Sequence, residues 1–251
     1  CGTVRHLVPR ALIEQGLVVS NWADAHAFTV AEHCVALVLG GMRRLSAAHE
    51  LLHHGRGWAI PGLPTRSLRG RRVGLHGFGV VARELARLLA PFGCILSAFA
   101  PGDDDGALAS RGVARAATVE ALYAASDVLV CLAPLTPRTR GTVDARLLGL
   151  LPQDALFVNV GRGAVIDEAA LAAAAATGRI QIALDVYVDE PLPESSPLRA
   201  LTDAVLTPHV GGPTSDQQHA CGRLALDNLR AFARGEAVRG VIDLPRYDTI
   251  T

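Results

Sequence analysis

Between residues 72 and 207 short apolar runs alternate with stretches of helical periodicity, and that alternation admits few architectures. Strand-like runs fall at 73–76, 95–99, 128–132, 156–160, 180–186 and 204–207. Helical spacing occupies 80–89, 118–125, 142–150 and 168–177 between them, with Asp167 as the N-cap of the last and Gly178 just past its end. Short strands separated by helices call for crossover connections, hence an α/β fold with a parallel, doubly wound sheet. Upstream, residues 17–21 read as a short strand. Residues 28–53 form a long helix opened by Thr29, with Glu32 as its capping-box partner, and interrupted at Gly40-Gly41. Residues 54–67 are rich in Gly and Pro and read as a loop or arm. The stretch 101–106 is a turn, and 215–233 a final helix. The Ala-rich stretch 169–176 is ordinary helix, and no internal repeat is present.

The chain has 251 residues, enough for one large or two modest domains, and half of them are hydrophobic, so a sizeable core is available. Its formal net charge is zero, and all 24 of its cationic side chains are scattered Arg, which points away from nucleic acid and anionic membranes. The five Cys (Cys1, Cys34, Cys94, Cys131, Cys221) are widely spaced and form no Cys-x-x-Cys pair, so neither a metal site nor a redox dithiol is expected. Cys34, Cys94 and Cys131 sit in apolar runs and read as buried thiols of a reducing compartment. No apolar run reaches the roughly 18 residues of a spanning helix, and no signal-peptide pattern opens the sequence. A cytoplasmic location is the expectation.

Directly after the first strand of the alternating region comes Gly77-Phe78-Gly79-Val80-Val81-Ala82, the Gly-x-Gly-x-x-Gly/Ala pattern of a Rossmann-type dinucleotide fold. Gly77 permits the tight turn and Gly79 a close approach of pyrophosphate. The unpaired amides of Val80 and Val81 offer hydrogen bonds at the positive end of a helix. The acid that usually binds the adenosine ribose, about 20 residues on at the end of the second strand, is missing. Ala100 occupies that place, and Asp103, Asp104 and Asp105 follow in the turn, where they read mainly as turn-solvating residues. Neither NAD nor NADP is singled out, although NAD is slightly favoured.

Three later blocks each run from an apolar segment into polar residues: Val158-Asn159-Val160-Gly161-Arg162, Leu184-Asp185-Val186-Tyr187-Val188-Asp189-Glu190 and Thr207-Pro208-His209-Val210-Gly211-Gly212. Carboxyl ends of adjacent parallel strands form the ligand crevice of open α/β sheets. A cation (Arg162), a carboxylate (Glu190) and an imidazole (His209) could meet there. Taken singly, each has an ordinary structural explanation, and His33, His49, His53, His54 and His76 read as helix, loop or core histidines. Only the ordered set, together with the glycine loop, carries a chemical reading.

These motifs resemble the D-isomer-specific 2-hydroxyacid dehydrogenase family over nearly the whole chain. The resemblance also covers Thr29-Val30-Ala31-Glu32-His33 and Pro134-Leu135-Thr136-Pro137-Arg138-Thr139. It implies that Arg162 binds the carboxylate of a small 2-oxo or 2-hydroxy acid. His209 would be the acid and base, and Glu190 would hydrogen-bond His209 and raise its pKa. Asp185 would bind the carboxamide end of the nicotinamide, and Val160, Gly161, Gly211 and Gly212 would line its pocket beside Pro134 and Thr139. It further implies a homodimer joined through the long helix and the arm, 28–67.

Family members begin with a flavodoxin-like substrate-binding lobe, of which residues 1–20 resemble only the last part. The expected division is therefore a remnant of that lobe at 1–20, a dinucleotide-binding domain at 21–212, and a C-terminal helix returning to the lobe at 213–251. With so little of the lobe, apolar surface is expected to be exposed. Two other functions stay open: a dinucleotide-binding interaction module without turnover, as in corepressors of the same family, and another Rossmann enzyme such as a hydrolase with tightly held NAD.

Overall fold

Every strand of the seven-stranded sheet is parallel, so each is reached by a crossover, and the central strands bury both faces. The computed structural model describes residues 4–5, 7–22, 24–55, 58 and 64–249. The strands are β1 (Arg72–His76), β2 (Ile95–Phe99), β3 (Val113–Arg115), β4 (Val128–Cys131), β5 (Ala155–Asn159), β6 (Ile180–Leu184) and β7 (Val205–Leu206). They lie in the order β3-β2-β1-β4-β5-β6-β7. The helices are α1 (Arg10–Glu14), α2 (Ala27–Met42), α3 (Leu45–His53), α4 (Val80–Leu89), α5 (Asp105–Ala109), α6 (Val119–Ala125), α7 (Ala145–Gly149), α8 (Glu168–Ala176), α9 (Gln218–Ala233) and α10 (Leu244–Thr249). The expected doubly wound α/β architecture is present.

The strand order reverses between β1 and β4, which open a crevice at their carboxyl ends. Their register pairs Val73 with Val128 and His76 with Cys131, so the two strands end level. One face of the sheet is covered by α2 and α4 through Ala31, Cys34, Leu37, Val38, Leu85 and Leu89. The other is covered by α6, α7 and α8 through Leu122, Tyr123, Leu147, Leu148 and Leu171. Side chains of Asp104, Thr118, Asp144 and Asp167 each accept a hydrogen bond from the amide three residues on, capping α5, α6, α7 and α8. A smaller cluster of Val4, Ile242 and Tyr247 ties the two ends of the chain together. No helix among the described residues is long and apolar enough to cross a membrane. α9 exposes Leu226, Leu229 and Phe232 on one side.

Several local expectations need correction. Thr29 does not cap the long helix: α2 starts at Ala27 with His26 as N-cap, and the Thr29 hydroxyl donates back to the His26 carbonyl at 2.9 Å. The helix does not break at Gly40-Gly41. Gly41 packs on the sheet, where a Cβ would stand 2.6 Å from Leu156, and the break comes at Arg44, in the left-handed region at φ 54°. Residues 17–21 contribute one antiparallel bridge, Ser20 to Val241, and no strand. The turn expected at 101–106 runs into α5 from Asp105, and β3 follows; both elements are too short to leave a periodic trace. The helix expected at 142–150 spans Ala145–Gly149, because Asp144 caps it. Cys34 and Cys131 are buried as expected, whereas Cys94 is half-buried. Much of the Gly/Pro-rich arm (56–57, 59–63), the ends 1–3 and 250–251, and residues 6 and 23 lie outside the described residues.

Gly163, just beyond β5, faces the backbone beyond β6: a Cβ there would stand 1.9 Å from the carbonyl carbon of Tyr187. Backbone cannot swing aside as a side chain can. Gly163→Ala is therefore expected to reduce unfolding free energy by about 1–3 kcal/mol or more. Gly149→Ala, with open space around its Cβ, should be neutral or slightly stabilising. Urea denaturation of both variants checks this; equal stability would contradict the close-approach argument.

Candidate active site

The crevice end of β1 runs into the glycine loop. Gly77 adopts φ +103°, and a Cβ on it would stand 3.0 Å from the Leu132 carbonyl beyond β4, so the loop needs glycine on two counts. Gly79 is the N-cap of α4, and the space in front of it is open to 4 Å. Arg83, one turn into α4, joins the loop to the turn after β2. Its Nε donates to the Phe78 carbonyl at 3.2 Å and its Nη2 to Asp103 Oδ1 at 2.6 Å. Asp104 caps α5 and Asp105 pairs with Arg115, so those two acids are committed to local structure. Asp103 has its second carboxylate oxygen without a protein hydrogen bond among the described residues.

After β4, Pro134 and Thr139 form a turn closed on itself. The Thr139 hydroxyl donates to the Pro134 carbonyl at 2.6 Å and accepts from the Thr136 amide at 2.8 Å. Past β5, the fully buried Asn159 staples the next loop. Its Oδ1 accepts from the Gly161 amide at 3.0 Å, and its Nδ2 donates to the Arg162 carbonyl at 3.1 Å. This fixes Val160, Gly161 and Arg162. The Arg162 guanidinium is half-buried and donates from Nη1 to the Gly161 carbonyl at 2.7 Å. Burial lowers its pKa, and the nearby Glu190 carboxylate opposes that shift.

Asp185, just past β6, is 2% exposed and accepts from four donors. Thr207 Oγ1 (2.7 Å), the Val210 amide (2.9 Å) and His33 Nε2 (3.2 Å) reach Oδ1, and the Gly211 amide (2.9 Å) reaches Oδ2. Burial alone would raise the Asp185 pKa; the hydrogen bonds from His33, Thr207, Val210 and Gly211 outweigh it and leave the pKa lowered. The loop 207–212 is thus clamped. A Cβ on Gly211 would stand 2.8 Å from Asp185 Oδ2, and one on Gly212 2.7 Å from Val30 of α2. Within this clamp His209 occupies the left-handed region at φ 53°. Its Nδ1 lies 2.7 Å from Glu190 Oε2, while Glu190 Oε1 accepts from the Tyr187 amide at 3.0 Å. A carboxylate acceptor makes Nδ1 the protonated nitrogen, leaving Nε2 to exchange a proton with a ligand.

The geometry thus brings Arg162, Glu190 and His209 to one rim, next to the loops bearing Val160, Gly161, Gly211 and Gly212. Three contributors had no role in the sequence reading. His33, part of the quoted Thr29–His33 motif but read as an ordinary helix histidine, is a partner of Asp185 reached from 152 positions away. Arg83 sits at an unremarkable helix position. Asn159 was in a quoted motif, and its buried amide was the available signal.

The lowered Asp185 pKa has a signed consequence. Stability from this group is fully present above its unfolded pKa of about 3.9 and is lost as pH falls through the folded value. Asp185→Asn should lower unfolding free energy by about 1–3 kcal/mol at neutral pH. The gap to the parent chain should narrow below about pH 4. Denaturation series from pH 7 to pH 2.5 test this, and a gap that stays constant with pH would contradict it.

Comparison with known proteins agrees with this geometry. The family model for the D-isomer specific 2-hydroxyacid dehydrogenase NAD binding domain matches residues 35–211. The D-3-phosphoglycerate dehydrogenase of Methanocaldococcus jannaschii is 31% identical over 236 residues, 94% of this chain and 45% of that protein. The human glyoxylate reductase/hydroxypyruvate reductase is 32% identical over 244 residues, 96% of this chain and 74% of that protein. The chain thus spans about half the length of the phosphoglycerate dehydrogenases it matches. Among solved structures, a D-isomer specific 2-hydroxyacid dehydrogenase from Xanthobacter autotrophicus Py2 in complex with NADPH and MES superposes with a TM-score of 0.76 at 29% identity. The alignment covers 94% of this chain and 98% of that one. A model matched over well over half of the chain, on the sheet and loops described above, settles the kinship: this chain belongs to the D-isomer specific 2-hydroxyacid dehydrogenase family.

Proposed function

We propose that the chain is an oxidoreductase that moves a hydride between a nicotinamide dinucleotide and a small 2-oxo or D-2-hydroxy acid. The observation that carries this reading is the His209–Glu190 pair, 2.7 Å apart, at the rim that also holds Arg162. The residues fit the dinucleotide. Gly79 leaves open space in which a pyrophosphate would sit, Gly77 makes the turn beside it, the Val80 and Val81 amides at the start of α4 would hold it, and backbone at Val160, Gly161, Gly211 and Gly212 would line the nicotinamide pocket. Asp185 retains Oδ2, with its single protein donor, for the carboxamide end. Pro134 and Thr139 border the pocket through their closed turn. When bound, the cofactor supplies or takes the hydride.

In the reductive direction Arg162 grips the substrate carboxylate and stabilises charge developing on the carbonyl oxygen. His209 Nε2 delivers the proton to that oxygen, and Glu190 holds the ring in the required orientation. In oxidation the same nitrogen takes the proton back. Names of relatives suggest hydroxypyruvate, glyoxylate or phosphorylated hydroxy acids as the substrate class. Asp103 favours NAD(H), because its open carboxylate oxygen suits ribose hydroxyls, whereas a 2′-phosphate would meet that carboxylate. The tied ends, residues 1–20 and 213–251, are read as part of a substrate-facing lobe. The region 28–67 is read as a two-fold dimer contact.

The test is NADH and NADPH oxidation by the purified chain over glyoxylate, hydroxypyruvate and pyruvate, with fluorescence titration of each cofactor. His209→Ala should lower kcat by about 10²–10⁴-fold while NADH affinity changes little. Asp103→Ala should weaken NADH more than NADPH. Cofactor binding without turnover would favour the interaction-module alternative, and tighter NADPH binding by the parent chain would overturn the NAD(H) preference.

A further inference from the structure

Residues 49–53 read His49-Glu50-Leu51-Leu52-His53, the H-E-x-x-H pattern in which two histidines one helical turn apart hold a zinc ion. The cysteine spacing speaks only against thiolate ligands. Read singly, His49, His53 and His54 are helix or loop histidines, but the fold puts the first two together. Both lie on α3, four positions apart on one face. Their rings are 4.0 Å apart between centroids, with the planes inclined at 33°. Both residues are exposed, so an ion reaches them from solvent without opening the fold. α3 begins after Arg44, whose guanidinium pairs with Asp203 just before β7. That is the end of the sheet away from the crevice, so the histidine pair is no part of the site described above.

Imidazole suits zinc, copper and nickel, whereas magnesium and calcium prefer oxygen ligands. A tetrahedral ion with Zn–N bonds of about 2.0–2.1 Å needs its two donor nitrogens about 3.3 Å apart. Exposed rings at this separation reach that spacing by turning about their side-chain torsions. The position on the helix also suits a cation. α3 ends at His53, and Gly55 follows in the left-handed region at φ 65°, so the negative end of the helix dipole lies beside the pair. Glu50 Oε2 lies 3.3 Å from His54 Nε2, so this carboxylate is engaged with His54 rather than offered as the base of a hydrolase. No group of three or more His, Cys, Asp or Glu able to hold a metal occurs among the described residues. The ion would therefore keep water in its remaining positions, and two protein ligands give it an affinity of roughly micromolar order.

We propose that His49 and His53 form a binding site for one Zn²⁺ ion, separate from the catalytic crevice. The ion bridges residues one turn apart and so fixes the last turn of α3. It stabilises the folded chain because the two rings converge only in the helix. The site takes no part in hydride transfer, and its occupancy is independent of the functional reading above.

The test is calorimetric titration of ZnCl₂ into the chelator-treated chain at about pH 7.5, with His49→Ala, His53→Ala and His54→Ala in parallel. All three residues are exposed, so the variants should fold as the parent does. The parent should bind one zinc ion per chain, and either of the first two substitutions should weaken that binding by about tenfold or more. His54→Ala should bind zinc as the parent does, and MgCl₂ should not compete. Hydrogen exchange supplies the structural readout: zinc should slow exchange of the amides of 49–54 in the parent but not in His53→Ala. A parent chain that takes up no zinc at about 100 µM would overturn the proposal. Undiminished affinity in His49→Ala and His53→Ala would mark the zinc as an adventitious ion held elsewhere, which also overturns it. So would an equal loss in His54→Ala and His53→Ala, which would move the ion to Glu50 and His54.

Discussion

The buried carboxylate of Asp185 is the fixed point of this site. An ionised group taken out of water is strongly destabilising unless its lone pairs are met. Here they are met by donors from α2, from the end of β7 and from two successive amides of the following loop. That requirement ties α2 and the loop after β7 to the end of β6, beyond the backbone pairing of β6 with β7. It also sets the loop conformation: with the Val210 and Gly211 amides drawn to Asp185, His209 is held in a left-handed conformation and its ring is presented to Glu190.

The sheet makes this clamp possible. Parallel strands in register bring β5 and β6 to level ends, Asn159 opposite Leu184, so the loops that follow begin side by side. They can then approach closely only where side chains are absent. Gly163 against Tyr187, Gly211 against Asp185 and Gly212 against Val30 are the contacts at which this matters most. The arrangement is preorganised: Asn159 fixes Arg162, Glu190 is anchored on the Tyr187 amide, and neither needs a ligand to be in place.

Much of this was legible in the chain. The alternation of strand and helix specifies a parallel sheet, and the glycine loop lies at the β1–β4 reversal, as its strand–turn–helix context implied. Arg162, Glu190 and His209 were each marked by position at the end of an apolar run. What was not legible depends on contacts distant in sequence. His33 reads as one more polar residue on a helix until the fold brings Asp185 to it. Thr29 looked like a cap because the residue type and Glu32 fit the pattern, yet packing of Ala27 extends the helix upstream. Likewise Gly40-Gly41 looked like a break because glycine weakens isolated helices, whereas close contact with Leu156 makes it part of the core. Tertiary packing overrode the local signal in both cases.

The central claim is that this rim is assembled for hydride transfer to a 2-oxo acid. The most direct measurement follows the transferred atom: single-turnover incubation of the chain with NADH dideuterated at C4 and glyoxylate, with mass spectrometry of the product. The account predicts one deuterium on C2 of glycolate for each cofactor oxidised by the parent chain, and transfer slowed by about 10²–10⁴-fold in His209→Ala. Cofactor bound at saturation with no deuterium in the product, or equally fast transfer by both chains, would contradict it.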